Sequence, residues 1–113
     1  MNGTEEVMDA IKRIAHHYGY EKQSWQMVEE MAELTQAITK FWRKQMRCGE
    51  IIFMNVESGS EEEEHIKEEL ADVTIMLLQM FVLLNVGDDG IETLIYKINR
   101  QLERIKMEDK NEL

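Results

Sequence analysis

Two short acidic motifs hold the residues best suited to chemistry in this chain. Glu29-Glu30-Met31-Ala32-Glu33-Leu34 returns 39 positions later as Glu68-Glu69-Leu70-Ala71-Asp72-Val73. Over the aligned stretches 28–35 and 67–74, four of eight residues are identical, and Asp72 stands where the first copy has Glu33. On a helix turning about 100° per residue, the i, i+3 spacing puts both members of each pair on one face, about one turn apart. Phase carries more weight than identity. The apolar stripe Met27, Met31, Leu34, Ile38 and Phe41 runs beside Glu30 and Glu33, and Ile66, Leu70, Val73 and Leu77 run beside Glu69 and Asp72 in the same sense. Packed antiparallel, two such helices can gather four carboxylates into a small volume, where like charges raise one another's pKa. Hard divalent cations relieve that repulsion. Mg²⁺, with Mn²⁺ as its substitute, takes carboxylate oxygens and keeps waters and phosphate oxygens as its other ligands. Two ions about 3.5–4 Å apart can orient a water and stabilise charge at a bridging phosphate. A lone Glu-x-x-Glu is ordinarily a solvated surface pair; the matched phase of two copies argues against that reading.

Composition narrows the partners. The chain has 113 residues with 23 acidic against 13 basic, a net charge of −10, which disfavours binding to a nucleic-acid polymer. An acidic protein that handles phosphates needs cations to do so. No Gly-rich phosphate loop is present, which excludes a Walker-type nucleotide site. One cysteine, Cys48, reads as a small buried residue or an inert thiol and fits a reducing compartment. With no apolar run long enough for a bilayer and no basic n-region near Glu5 and Glu6, the expectation is a cytoplasmic protein without a membrane partner.

The elements that must position these residues are helices. Proline is absent and methionine occurs nine times, both of which favour helical packing. Gly19, Gly49, Gly59, Gly87 and Gly90 punctuate the periodic segments. The spacing predicts helices over residues 5–18 (Thr4 as N-cap), 22–47, 60–85 and from 89 onward. Ser60-x-x-Glu63 and Asp89-x-x-Glu92 have the form of capping boxes. The apolar run Ile51-Ile52-Phe53-Met54 is left as a connection of open shape. The expected fold is an all-α, four-helix bundle-like protomer, one domain over 1–113.

The paired motifs resemble the ExxE…ExxD signature of the MazG-like all-α nucleoside triphosphate pyrophosphohydrolases, over the second to fourth helices. The resemblance implies hydrolysis of a nucleoside triphosphate between its α and β phosphates, in nucleotide-pool cleaning or a biosynthetic step. It implies that Glu30, Glu33, Glu69 and Asp72 hold Mg²⁺. Lys97, Gln101 and Arg104 fall on one arc of the fourth helix beside its stripe of Ile91, Leu94, Ile95, Ile98, Leu102 and Ile105. The family often carries Lys, Asn and Arg at that spacing, which implies phosphate contacts for Lys97 and Arg104; Gln101 departs from the usual Asn. Lys40, and less closely Lys44, share the sector of Glu30 and Glu33. Gln23 and Trp25 are candidates for lining a base slot, as are His17 and Tyr18, although Trp25 also suits packing. Trp42 reads as core.

Two rival readings compete with this one. Ferritin-like di-iron bundles need two Glu-x-x-His motifs; only Glu62-x-x-His65 is present, outside the acidic quartet. A non-enzymatic helical interaction module would leave the acids as a solvated rim. Either way, 73–84 is apolar except for Thr74 and Gln79. With Leu77 and Leu84 turned to the core, Ile75, Leu78 and Val82 point away from it. A helix apolar all round needs cover all round, which predicts a homo-oligomer, a homodimer or homotetramer.

Overall fold

The computed structural model describes residues 1, 3–47 and 60–111. It contains four α-helices and, among the described residues, no strand: α1 (Thr4–Tyr18), α2 (Tyr20–Arg47), α3 (Glu61–Leu83) and α4 (Asp88–Asn111). Cys48, Gly49, Gly59 and the run 51–54 lie outside the described residues.

The helix ends follow local chemistry, with two corrections. α1 starts from Gly3, which is extended and offers no side-chain cap, so Thr4 is the first helical residue rather than the N-cap. Gly19 sits at φ +85°, where a side chain would be strained. Its N–H donates to the Ala15 carbonyl at 2.8 Å, and its own carbonyl accepts from the Gln23 N–H at 3.1 Å. One residue thus ends α1 and begins α2. At α3, the Glu63 N–H donates to Ser60 Oγ at 3.1 Å, the cap read from the sequence. At α4, the Gly87 carbonyl accepts from the N–H groups of Gly90 and Ile91. The helix therefore begins ahead of Asp89, which lies in its first turn and not at a cap, and Gly90 is helical.

Met1–Leu83 and Leu84–Leu113 form two compact units. In the first, α3 packs along α2 and against α1. Its buried apolar residues are Ile11 and Ala15 of α1, Ala37 and Phe41 of α2, and Met76 and Met80 of α3. Two amides join them: Gln23 Nε2 donates to Gln79 Oε1 at 2.7 Å, and Gln79 is 1% exposed. This seam differs from the stripes read by periodicity. Phe41 is inside, but Met31, Ile38, Leu70 and Leu77 are exposed, as is Ile75, while Leu78 and Val82 are partly covered. α2 and α3 each have a second apolar arc, and the chain buries the one holding small and amide residues. Trp42 is half-exposed rather than core, because its neighbour Phe41 takes the inward position and adjacent helical residues diverge by about 100°. The second unit holds a single helix, α4, which cannot cover its own stripe from Ile91 to Ile105.

Candidate metal and phosphate site

Glu30 and Glu33 on α2 meet Glu69 on α3. One carboxylate oxygen from each lies within 4.8 Å of the others. The helices run antiparallel with a register marked at three heights: Gln23 with Gln79, this acidic trio, and Lys44 with Glu62. Lys44 Nζ stands 2.8 Å from Glu62 Oε1, and this hydrogen bond holds the Glu62 carboxyl below its ordinary range. The trio between those two clamps is electrostatically uncomfortable. The Glu33 carboxyl is pushed above its usual value, first by the charge of Glu30 and then by that of Glu69.

Each inner acid has a side-chain nitrogen near one oxygen and, among the described residues, no partner on the other. Gln26 Nε2 donates to Glu30 Oε1 at 2.9 Å, and His65 Nε2 lies 3.3 Å from Glu69 Oε1. Glu30 Oε2 and Glu69 Oε2 are buried with no hydrogen-bond partner among the described residues. A buried, unpartnered carboxylate oxygen costs on the order of 1–3 kcal/mol or more, a cost that a bound cation would relieve. The donors are all carboxylate oxygens, the set that hard divalent ions prefer. Asp72 is exposed, one turn beyond Glu69 on α3, and is not among the three gathered oxygens.

Two surface hollows adjoin these residues. One, of about 420 Å³, is bordered by Ala37 and Lys40 of α2 and by Glu61, Glu62, Glu64, His65 and Glu68 of α3. The other, of about 440 Å³, is bordered by Tyr18, Glu21, Lys22, Trp25, Gln26 and Glu29. Trp25 is 68% exposed, which removes it from the core and leaves it in the wall of this second hollow. Tyr18 shares that wall with the Lys22 ammonium 4.6 Å from its ring centre. Gln23 is buried on Gln79 and is not among the residues bordering either hollow. His17 stacks edge-on against Tyr18 and is exposed. Lys97, Gln101 and Arg104 are exposed along α4.

The sequence pattern did not single out Gln26 beside Glu30, and it placed His65 only in Glu62-x-x-His65, not beside Glu69. Both stand four residues before an acid, at the i, i+4 spacing that lets helical side chains touch.

The MazG nucleotide pyrophosphohydrolase domain family matches residues 19–106, more than three quarters of the chain. The match begins at the Gly19 joint and spans both acidic motifs and most of α4. No curated protein and no solved structure matches the chain. The chain belongs to the MazG nucleotide pyrophosphohydrolase domain family.

Proposed function

We propose that this member of the MazG nucleotide pyrophosphohydrolase family hydrolyses a nucleoside triphosphate between its α and β phosphates, yielding a monophosphate and pyrophosphate for nucleotide-pool cleaning. The observation that carries the reading is the acidic trio, with the buried, unpartnered oxygens of Glu30 and Glu69 beside the charge-strained Glu33. Glu30, Glu33 and Glu69 would hold Mg²⁺, with Asp72 joining by a side-chain turn from one helical turn away. When bound, such ions lower the pKa of a water and neutralise phosphate charge. Glu29 and Glu68 border the two hollows and are the free carboxylates best placed to accept a proton from the attacking water. Lys40 borders the same hollow as Glu68 and His65 and suits a phosphate oxygen. Trp25 and Tyr18 offer aromatic faces to a base, with Lys22 and Gln26 as polar neighbours. The resemblance to the family's Lys, Asn and Arg pattern supports Lys97 and Arg104 on α4 as further phosphate contacts, with Gln101 in place of the usual Asn.

The test is a panel of canonical and modified nucleoside triphosphates with pyrophosphate and orthophosphate assayed separately. Equal amounts of monophosphate and pyrophosphate, dependent on Mg²⁺, are expected. Orthophosphate with a diphosphate, or no turnover of any triphosphate, would reject the reading.

A further inference from the structure

Gln26 and His65 occupy equivalent places in two copies of one local arrangement. Gln26 precedes Glu30 by four residues on α2, and His65 precedes Glu69 by four on α3. The 39-residue offset that aligns the acidic motifs also aligns these two positions, although their residue types differ. In both copies a side-chain nitrogen approaches the Oε1 oxygen of the acid, at 2.9 Å from Gln26 and 3.3 Å from His65. In both copies the Oε2 oxygen is left buried and without a partner among the described residues. The other aligned contacts agree: Thr35 Oγ1 donates to the Met31 carbonyl at 2.9 Å, and Thr74 Oγ1 donates to the Leu70 carbonyl at 2.7 Å.

We propose that Gln26 and His65 are positioning residues for the metal acids, each fixing one oxygen of its glutamate so that the other is presented to the cation. The inference rests on the metal-site reading above and adds two residues to it. A glutamate on a helix has three side-chain torsions, and without a second contact its carboxylate samples several rotamers. Repulsion among Glu30, Glu33 and Glu69 favours the outward ones. A nitrogen one turn earlier on the same helix opposes that swing, because it binds an oxygen from the N-terminal side, the direction in which helical side chains lean. Partners of this kind typically contribute 10–100-fold to metal affinity. Each also belongs to the wall of a different hollow, Gln26 beside Trp25 and His65 beside Lys40. A ligand seated in either hollow would therefore touch a residue that orients a metal acid, so metal and substrate affinities should be coupled.

The experiment measures Mn²⁺ binding to the full chain by titration calorimetry and by Mn²⁺ electron paramagnetic resonance, without nucleotide. Gln26→Met and His65→Met keep side-chain bulk and remove the nitrogen; His65→Gln restores a donor. The proposal expects Mn²⁺ to bind about tenfold more weakly to each methionine variant. It expects His65→Gln to recover most of that loss and metal-free melting temperatures to stay near wild type, which a purely structural role would not give. If one variant fails to fold, the other, on the opposite helix, carries the test. Wild-type binding with both methionine variants within twofold of it would overturn the positioning role while leaving the metal site standing. Absence of Mn²⁺ binding by the wild type would overturn the metal site and this inference with it.

Discussion

At the scale of single residues, the charges of the trio oppose one another, and a cation would relieve that repulsion. Replacing Glu30 with Gln keeps its shape and removes a ligand charge. Mg²⁺-dependent turnover should fall at least about a hundredfold, by analogy with the loss of other preorganised electrostatic groups, and Asp72→Asn should do the same if Asp72 completes the set. Wild-type turnover by purified Glu30→Gln protein would refute the assignment. Glu33 gives an independent reading through pH. Its folded pKa lies above the ordinary 4.5, so the folded chain holds that proton more tightly than the unfolded one. The resulting stabilisation is complete below the unfolded value and is lost as pH rises through the raised one. Without metal, Glu33→Gln should therefore gain melting temperature relative to wild type as pH climbs past 4.5, by a small amount because Glu33 is exposed and screened. Millimolar Mg²⁺ should reverse the order by stabilising only the wild type. Parallel melting curves across pH, unaffected by Mg²⁺, would show that the three carboxylates do not act as a unit. These acids were legible in the sequence because they repeat in type and in helical phase. The approach of Gln26 and His65 to two of them was not, because amide and imidazole share a position without sharing a residue type.

At the scale of the elements, register decides whether Glu33 and Glu69 meet at all. The Gln23–Gln79 pair sits toward the α1 end of the α2–α3 seam and the Lys44–Glu62 pair toward the other, so each resists sliding driven by the acids between them. Gln79→Met should destabilise the fold by about 1–3 kcal/mol, since it strands the buried Gln23 amide. Adding Gln23→Met should restore most of that loss, because removing both partners leaves nothing unsatisfied. Urea unfolding of the four proteins in the cycle measures this, and additive losses would mean the pair is not coupled. The helices themselves were plain from apolar periodicity and from Gly19, Ser60 and Gly87 at their ends. The seam was not. Periodicity finds every apolar arc on a helix but does not say which arc the same chain covers, and here the buried one is built around Ala37, Gln23 and Gln79. The misread cap at Asp89 has a similar origin, because Gly87 two residues earlier offers the first helical carbonyl and leaves no side chain for pattern reading to find.

At the scale of the whole molecule, the first unit sets six buried apolar side chains against fourteen large exposed ones among the described residues. The exposed set is patterned. On α2 it runs through Val28, Met31, Ile38 and Trp42, and on α3 through Leu70, Leu77 and Phe81, stripes at helical spacing on the arcs turned from the intrachain seam. α4 adds a stripe of its own that a lone helix has no means to bury. Each such side chain gains roughly 1.5–3 kcal/mol on full burial, and correspondingly less from a half-exposed start. A second copy of the chain is the cover most readily at hand, and a twofold arrangement is the commonest closed solution. We therefore expect sedimentation at micromolar concentration to report at least twice the protomer mass of 13.4 kDa. Leu77→Lys is the informative substitution. Leu77 is 39% exposed within the protomer, so a lysine there can extend into solvent and leave Met76, Gln79 and Met80 in place. It should dissociate the assembly, keep the helical circular dichroism of the chain, and lower the melting temperature in a way that wild-type protein reproduces only on dilution. A monodisperse wild-type monomer, or a Leu77→Lys protein that assembles as before, would mean that these stripes are covered by another part of the same chain.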